Sequence, residues 1–103
     1  MGSHVFDAEL FLWEGGDGAW TFAKVPEDIA DDIADTAVSG GFGSVRVEVT
    51  IGNTTWMTSL FPDSRSGTYV LPIKKAVRRA EEIGAGDRAT IRLTPTGTRD
   101  AGL

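Results

Sequence analysis

The segment from Val45 to Leu60 leaves this chain the least freedom. Val45, Val47, Val49 and Ile51 alternate with Arg46, Glu48 and Thr50. A period of two puts the four branched apolar side chains on one face of a strand and the polar ones on the other. Gly52-Asn53, a two-residue turn signal, leads into "TTWMTSL", which is rich in β-branched and aromatic residues. A hairpin with one buried face is expected, and that face needs a second layer or a closed barrel to cover it.

Four further segments read as strands. "VFDAELFLW" (5–13) has Phe6, Ala8, Leu10 and Leu12 on one side and Asp7, Glu9, Phe11 and Trp13 on the other. After a glycine-rich turn at 14–18, "AWTFAKV" (19–25) returns with Trp20, Phe22 and Lys24 on one face. "TYVLP" (68–72) is brief, and "RATIRLT" (88–94) turns Ala89, Ile91 and Leu93 inward. Two helices are expected between them. The first follows Pro26, with Ile29, Ile33 and Ala37 at four-residue spacing, and stops in the glycines of 39–43. The second runs from about Pro72 to Ile83, is closed by Gly84, and buries Ile73, Ala76, Val77, Ala80 and Ile83. The expected fold is mainly β: a small, six-stranded, largely antiparallel, partly open barrel with two short helices. One domain is placed at 5–95. Met1–His4 has the look of a cloning scar and 96–103 that of a loose tail.

Composition narrows the chemistry. There is no cysteine and one histidine, His4, so disulfides, thiolate catalysis, Ser/His pairs and His-rich metal sites fall away. No metal and no cofactor are expected. No apolar run reaches the roughly 18 residues of a membrane span, and no secretory pattern opens the chain, so a cytoplasmic location is expected. For the same reason Asn53-Thr54-Thr55, a glycosylation sequon, reads as chance. Paired carboxylates at Asp7 and Glu9, or at Glu14 and Asp17, read as a solvated strand face and a polar turn. "SGGFGS" (39–44) follows a helix and precedes a strand, the reverse of a phosphate loop. Lys24, beside Trp20 and Phe22, would become nucleophilic only if buried, and a lysine ending a strand ordinarily reaches water. The aromatic set Trp13, Trp20, Phe22, Trp56 and Tyr69 is expected to fill the barrel, with some members lining a ligand cavity.

Four motifs occur in a fixed order: W-x-F-x-x-V-P at Trp20–Pro26, W-x-T-S-L at Trp56–Leu60, Y-V-L-P-I-K-K-A-V-R-R-A at Tyr69–Ala80, and G-D-x-A-x-I-x-L at Gly86–Leu93. Over residues 6–94 the chain resembles the bacterial domain-of-unknown-function-1905 family, most specifically in its Leu-Pro-x-Lys-Lys-Ala-Val-Arg stretch. The resemblance implies a small, partly open β-barrel, grouped with the double-split barrel of swapped-hairpin transcription regulators. Some members are fused to a domain associated with bacteriocin protection. The family carries no agreed activity, and the acidic helix and glycine loop at Glu27–Gly43 depart from its pattern.

The charge pattern of the second helix poses the functional question. Lys74, Lys75, Arg78 and Arg79 open it and Glu81 and Glu82 close it, against the helix dipole at both ends. Each misplaced charge costs roughly 0.3–1 kcal/mol, which an anion could offset. Three anions are conceivable. The first is the carboxylate run Glu27, Asp28, Asp31, Asp32 and Asp35, facing the basic helix within a subunit or across a homodimer. The second is a small, partly apolar anionic ligand, held by Lys74 and Arg78 and stacked on Trp20, Phe22, Trp56 and Tyr69. The third is a nucleic-acid backbone, which a net charge of −5 disfavours. A binding module for the small ligand is the leading expectation. A dimerisation module is the alternative, and an enzyme that confines its substrate in a small barrel is a further one.

Overall fold

The alternating segments become strands that pair only antiparallel. A computed structural model describes residues 2–15, 18–36 and 43–96. The elements run β1 (His4–Glu9), β2 (Phe11–Gly15), β3 (Gly18–Lys24), α1 (Glu27–Thr36), β4 (Val45–Ile51), β5 (Thr54–Asp63), β6 (Thr68–Pro72), α2 (Lys75–Glu81) and β7 (Arg88–Pro95). They form one seven-stranded sheet in the order β1-β7-β4-β5-β6-β3-β2.

Two long stretches of chain make this sheet a half-barrel. Thr54 to Leu60 of β5 pair with β4, while Phe61 to Asp63 pair with β6. β1 pairs with β7 and β2 pairs with β3, yet Leu10 alone separates β1 from β2. The sheet therefore curls until its two edges are consecutive in the chain. Each of these stretches serves one half-sheet with its first part and the other half-sheet with its last.

The expected six strands are thus corrected to seven, and Leu10 is the cause. Its N–H donates to Asp87 O (2.8 Å), and its carbonyl accepts from Gly86 N–H (2.8 Å). The side chain is fully buried. These bonds tie the backbone to the 84–87 turn at the point where the strand changes half-sheets. Phe6, Ala8 and Leu10 are buried, whereas Leu12, beyond the break and opposite the buried Thr21 on the last strand of the sheet, is 50% exposed.

The interior receives Val45, Val47, Val49 and Ile51 from β4, Ile91 and Leu93 from β7, and Leu60 and Trp56 from β5. Fully burying one such aliphatic side chain is worth roughly 1.5–3 kcal/mol. β3 contributes Thr21 and Ala23, and Val25 follows it, so alternation sends Trp20, Phe22 and Lys24 outward. The expected aromatic filling is corrected accordingly: one tryptophan, Trp56, is core, and branched aliphatics supply most of the rest. α1 seals the core with Ala30 and Ile33.

α2 is shorter than the expected 72–83. Pro72 and Ile73 stay extended, and Ile73 N–H donates to Thr21 O (2.9 Å). Two turns of helix bury Val77, flanked by Ile73 and Ile83, while Ala76 and Ala80 face solvent. The helix ends on Glu82 in the left-handed conformation (φ 57°, ψ 47°) rather than on Gly84. The ladder also reaches beyond Val5, with His4 opposite Leu93. Among the described residues no helix is long and apolar enough to cross a membrane.

Candidate functional site

The outward face of β3 builds a groove. Phe22 lies opposite Phe11 of β2 on one side and Pro72 of β6 on the other. Directly paired residues share a face, so aromatic side chains collect here. The Phe11 and Phe22 ring centroids are 6.0 Å apart and tilted at 35°, and Trp13 meets Phe22 edge-on at 6.3 Å and 64°. Both separations suit favourable aromatic pairs. With Val70, Pro62, Lys24, Asp63, Arg65 and Ser66 these residues enclose about 520 Å³.

One end of the groove is polar because the β5–β6 turn organises itself around Asp63. Its Oδ2 accepts from the Ser66 hydroxyl (2.8 Å) and its Oδ1 from Arg65 N–H (3.3 Å), while Gly67 N–H donates to Asp63 O (2.9 Å). The Ser66 hydrogen bond holds the Asp63 carboxyl below the ordinary aspartate value of 3.8. Partial desolvation opposes this, and the Arg65 N–H and the charges of Arg65 and Lys24 reinforce it. Both cations therefore lie within electrostatic reach of the same carboxylate. Below the turn, the buried Thr68 hydroxyl donates to Val25 O (2.8 Å) and ties the hairpin to the exit of β3. The site is thus an aromatic floor with two cations and one carboxylate at its rim.

The six residues expected to share one site are dispersed. Phe22 lines the groove. Trp20 is 55% exposed on the same face, opposite Trp13. Trp56 is buried in the core, and Tyr69 packs against the core from β6. Lys74 is exposed at the N-cap of α2 and makes no side-chain cap. Arg78 folds back, its Nε donating to Ile73 O (3.1 Å).

Helix length also changes the charge argument. In a seven-residue helix Arg78 and Arg79 occupy the last turn, where cations suit the dipole. Only Lys74 and Lys75 remain at the unfavourable end. Glu81 has its own partners, accepting from Asn53 N–H (3.2 Å) and the Thr54 hydroxyl (2.5 Å) in the β4–β5 hairpin. On the acidic helix, Asp32 Oδ2 lies 3.4 Å from His4 Nε2.

Sequence reasoning missed Phe11, Pro62, Asp63, Arg65, Ser66 and Val70 as site residues. The signal available was the period-two position of Phe11 and the Asp-x-x-Ser turn inside "FPDSRSG". Asp7, a proposed carboxylate partner, accepts from the Thr90 hydroxyl (2.6 Å). Asp17, Ala37 and most of "SGGFGS" lie outside the described residues. Among the described residues no three His, Asp or Glu side chains gather as a metal site.

No curated protein matches the chain. Residues 6–93 match the family model described as Domain of unknown function (DUF1905), and across that span the motifs, the half-barrel and its two helices form one unit, so the chain belongs to that family.

Proposed function

We propose that this protein binds a small, partly apolar anion in the groove on the outer face of β2, β3 and β6. One observation carries the reading: Phe11, Trp13 and Phe22 form a continuous aromatic floor that ends at Lys24 and Arg65. A planar apolar body would stack on the rings, and an anionic end would reach the two cations. The volume lies within the range of small-molecule sites, roughly 300–1,000 Å³. This keeps the ligand class that the sequence suggested and moves the anchor from Lys74 and Arg78 to Lys24 and Arg65. The reading is of a binding module, in which the Ser66 hydroxyl and the Asp63 carboxylate that accepts from it (2.8 Å) serve to shape the β5–β6 turn at the rim. A cysteine-free chain suits a cytoplasmic setting.

Titration of the protein with 2-naphthoate, followed by tryptophan fluorescence, tests it, with neutral 2-naphthamide as the comparison. The carboxylate should bind at least about tenfold more tightly, a difference of about 1.4 kcal/mol. Lys24→Ala with Arg65→Ala should remove that preference, and Phe22→Ala should weaken both probes. Equal affinity for acid and amide, or binding unchanged by Phe22→Ala, would sink the proposal.

A further inference from the structure

Among the described residues β2 ends the sheet, with β3 its one partner strand. Leu10 turns its backbone groups towards residues 86 and 87. Alternation turns those of Leu12 the same way, past the start of β7 at Arg88. Exposed edges are ordinarily blunted by charge, proline or a covering segment. β1, at the other end of the sheet, carries exposed Asp7 and Glu9. β2 instead presents Phe11, Leu12 and Trp13 at 37%, 50% and 44% exposure, with Trp20 beside them at 55%.

We propose that β2 is a homodimer interface, in which two copies pair antiparallel about a two-fold axis at Leu12. That centring sets Leu12 against its own copy on one face, and Phe11 against the partner's Trp13 on the other. The row Phe-Leu-Trp is thus complementary to itself, which selects a second copy over an unrelated strand. Aromatic side chains bury roughly 150–250 Å² each, so these four residues offer roughly 350 Å² per copy at the exposures above. A pair buries about 700 Å² of side chain plus the strand backbones, below the roughly 1,200 Å² of standard interfaces. An interface of this size belongs to the weak, reversible class. Its salt dependence follows from the net charge of −5 on each copy. Screening the repulsion tightens the dimer, whereas pairing of α1 with α2 across two copies would weaken with salt. The interface shares Phe11 and Trp13 with the groove, whereas Leu12 is not a groove residue, so a change at Leu12 tests the interface separately from the ligand reading.

Sedimentation velocity over about 1–200 μM protein, at about 50 and 300 mM salt, tests it. The unmodified chain should dimerise, more tightly at the higher salt. Leu12→Lys, which opposes like charges across the axis, should weaken association at least about tenfold. Val5→Lys, at an exposed position on the opposite edge, should leave it unchanged. Hydrogen exchange of the unmodified chain needs no variant, and the Leu12 amide should gain protection as concentration rises. A chain monomeric at 200 μM, dimerisation undiminished by Leu12→Lys, or a Leu12 amide indifferent to concentration would each overturn the proposal.

Discussion

Glu82 pays for the end of α2. Ile83 N–H donates to Arg78 O (3.0 Å) and Glu82 N–H to Arg79 O (3.4 Å), the paired bonds of a Schellman ending. That ending wants glycine, since a left-handed L-residue costs roughly 1–2 kcal/mol. Glu82 is exposed, so Glu82→Gly should raise stability by about 0.5–1 kcal/mol in urea denaturation, after the greater unfolded-state entropy of glycine. Glu82→Val should lower it. At Asp63 the predicted effect concerns pH. The folded carboxyl titrates below its unfolded value, so its contribution is complete above the ordinary 3.8 and disappears as pH falls through the lowered folded value. Asp63→Asn should flatten that part of the acid-unfolding curve, and an NMR titration of Asp63 should give a midpoint below 3.8. The residue scale was the least legible in the sequence. Glu82 gives no sign of a left-handed backbone, and "FPDSRSG" read as a polar loop although it positions Arg65 and Ser66.

Among the elements, the β4–β5 hairpin depends on a helix that the sequence kept separate from it. Gly52 has φ +58° and Asn53 does not share the positive sign, the pattern of a type II′ turn. A Cβ at Gly52 would run into the Glu81 carboxylate, which caps this turn through Asn53 and Thr54. Glu81→Ala should cost about 1–2 kcal/mol for two hydrogen bonds. Gly52→Ala should cost about as much, through its backbone and the displaced carboxylate. Thermal melts would measure both, and hydrogen exchange should localise the loss to the hairpin tip. Leu10 has the largest predicted effect, since Leu10→Ala opens a cavity where the half-sheets meet, at a cost of about 2–5 kcal/mol.

For the whole molecule, the order β1-β7-β4-β5-β6-β3-β2 makes most pairings distant in sequence. His4 must find Leu93, and Phe22 must find Pro72, before either half-sheet is complete. Loop closure precedes the gain from such contacts, so stopped-flow refolding should take milliseconds to seconds rather than microseconds. Both half-sheets share one core and the strand β5, so fluorescence and circular dichroism should report a single coincident unfolding transition. Separate transitions would show that the halves fold independently.

Period and punctuation determined by themselves that this chain is mainly β. They placed β4, β7 and the β4–β5 turn, because alternation and turn chemistry act between neighbours in sequence. Only the tertiary structure decided which face of β3 points inward. Trp20, Phe22 and Lys24 alternate as regularly as Thr21, Ala23 and Val25, and the small residues went inside because Val45, Val47, Ile91 and Leu60 already occupy the interior. It also decided that the strand from Val5 to Trp13 breaks at Leu10, since the hydrogen bonds that break it come from Gly86 and Asp87. The basic helix looked like the site for the same reason: local charge was visible, whereas the groove joins residues from four segments that only folding brings together.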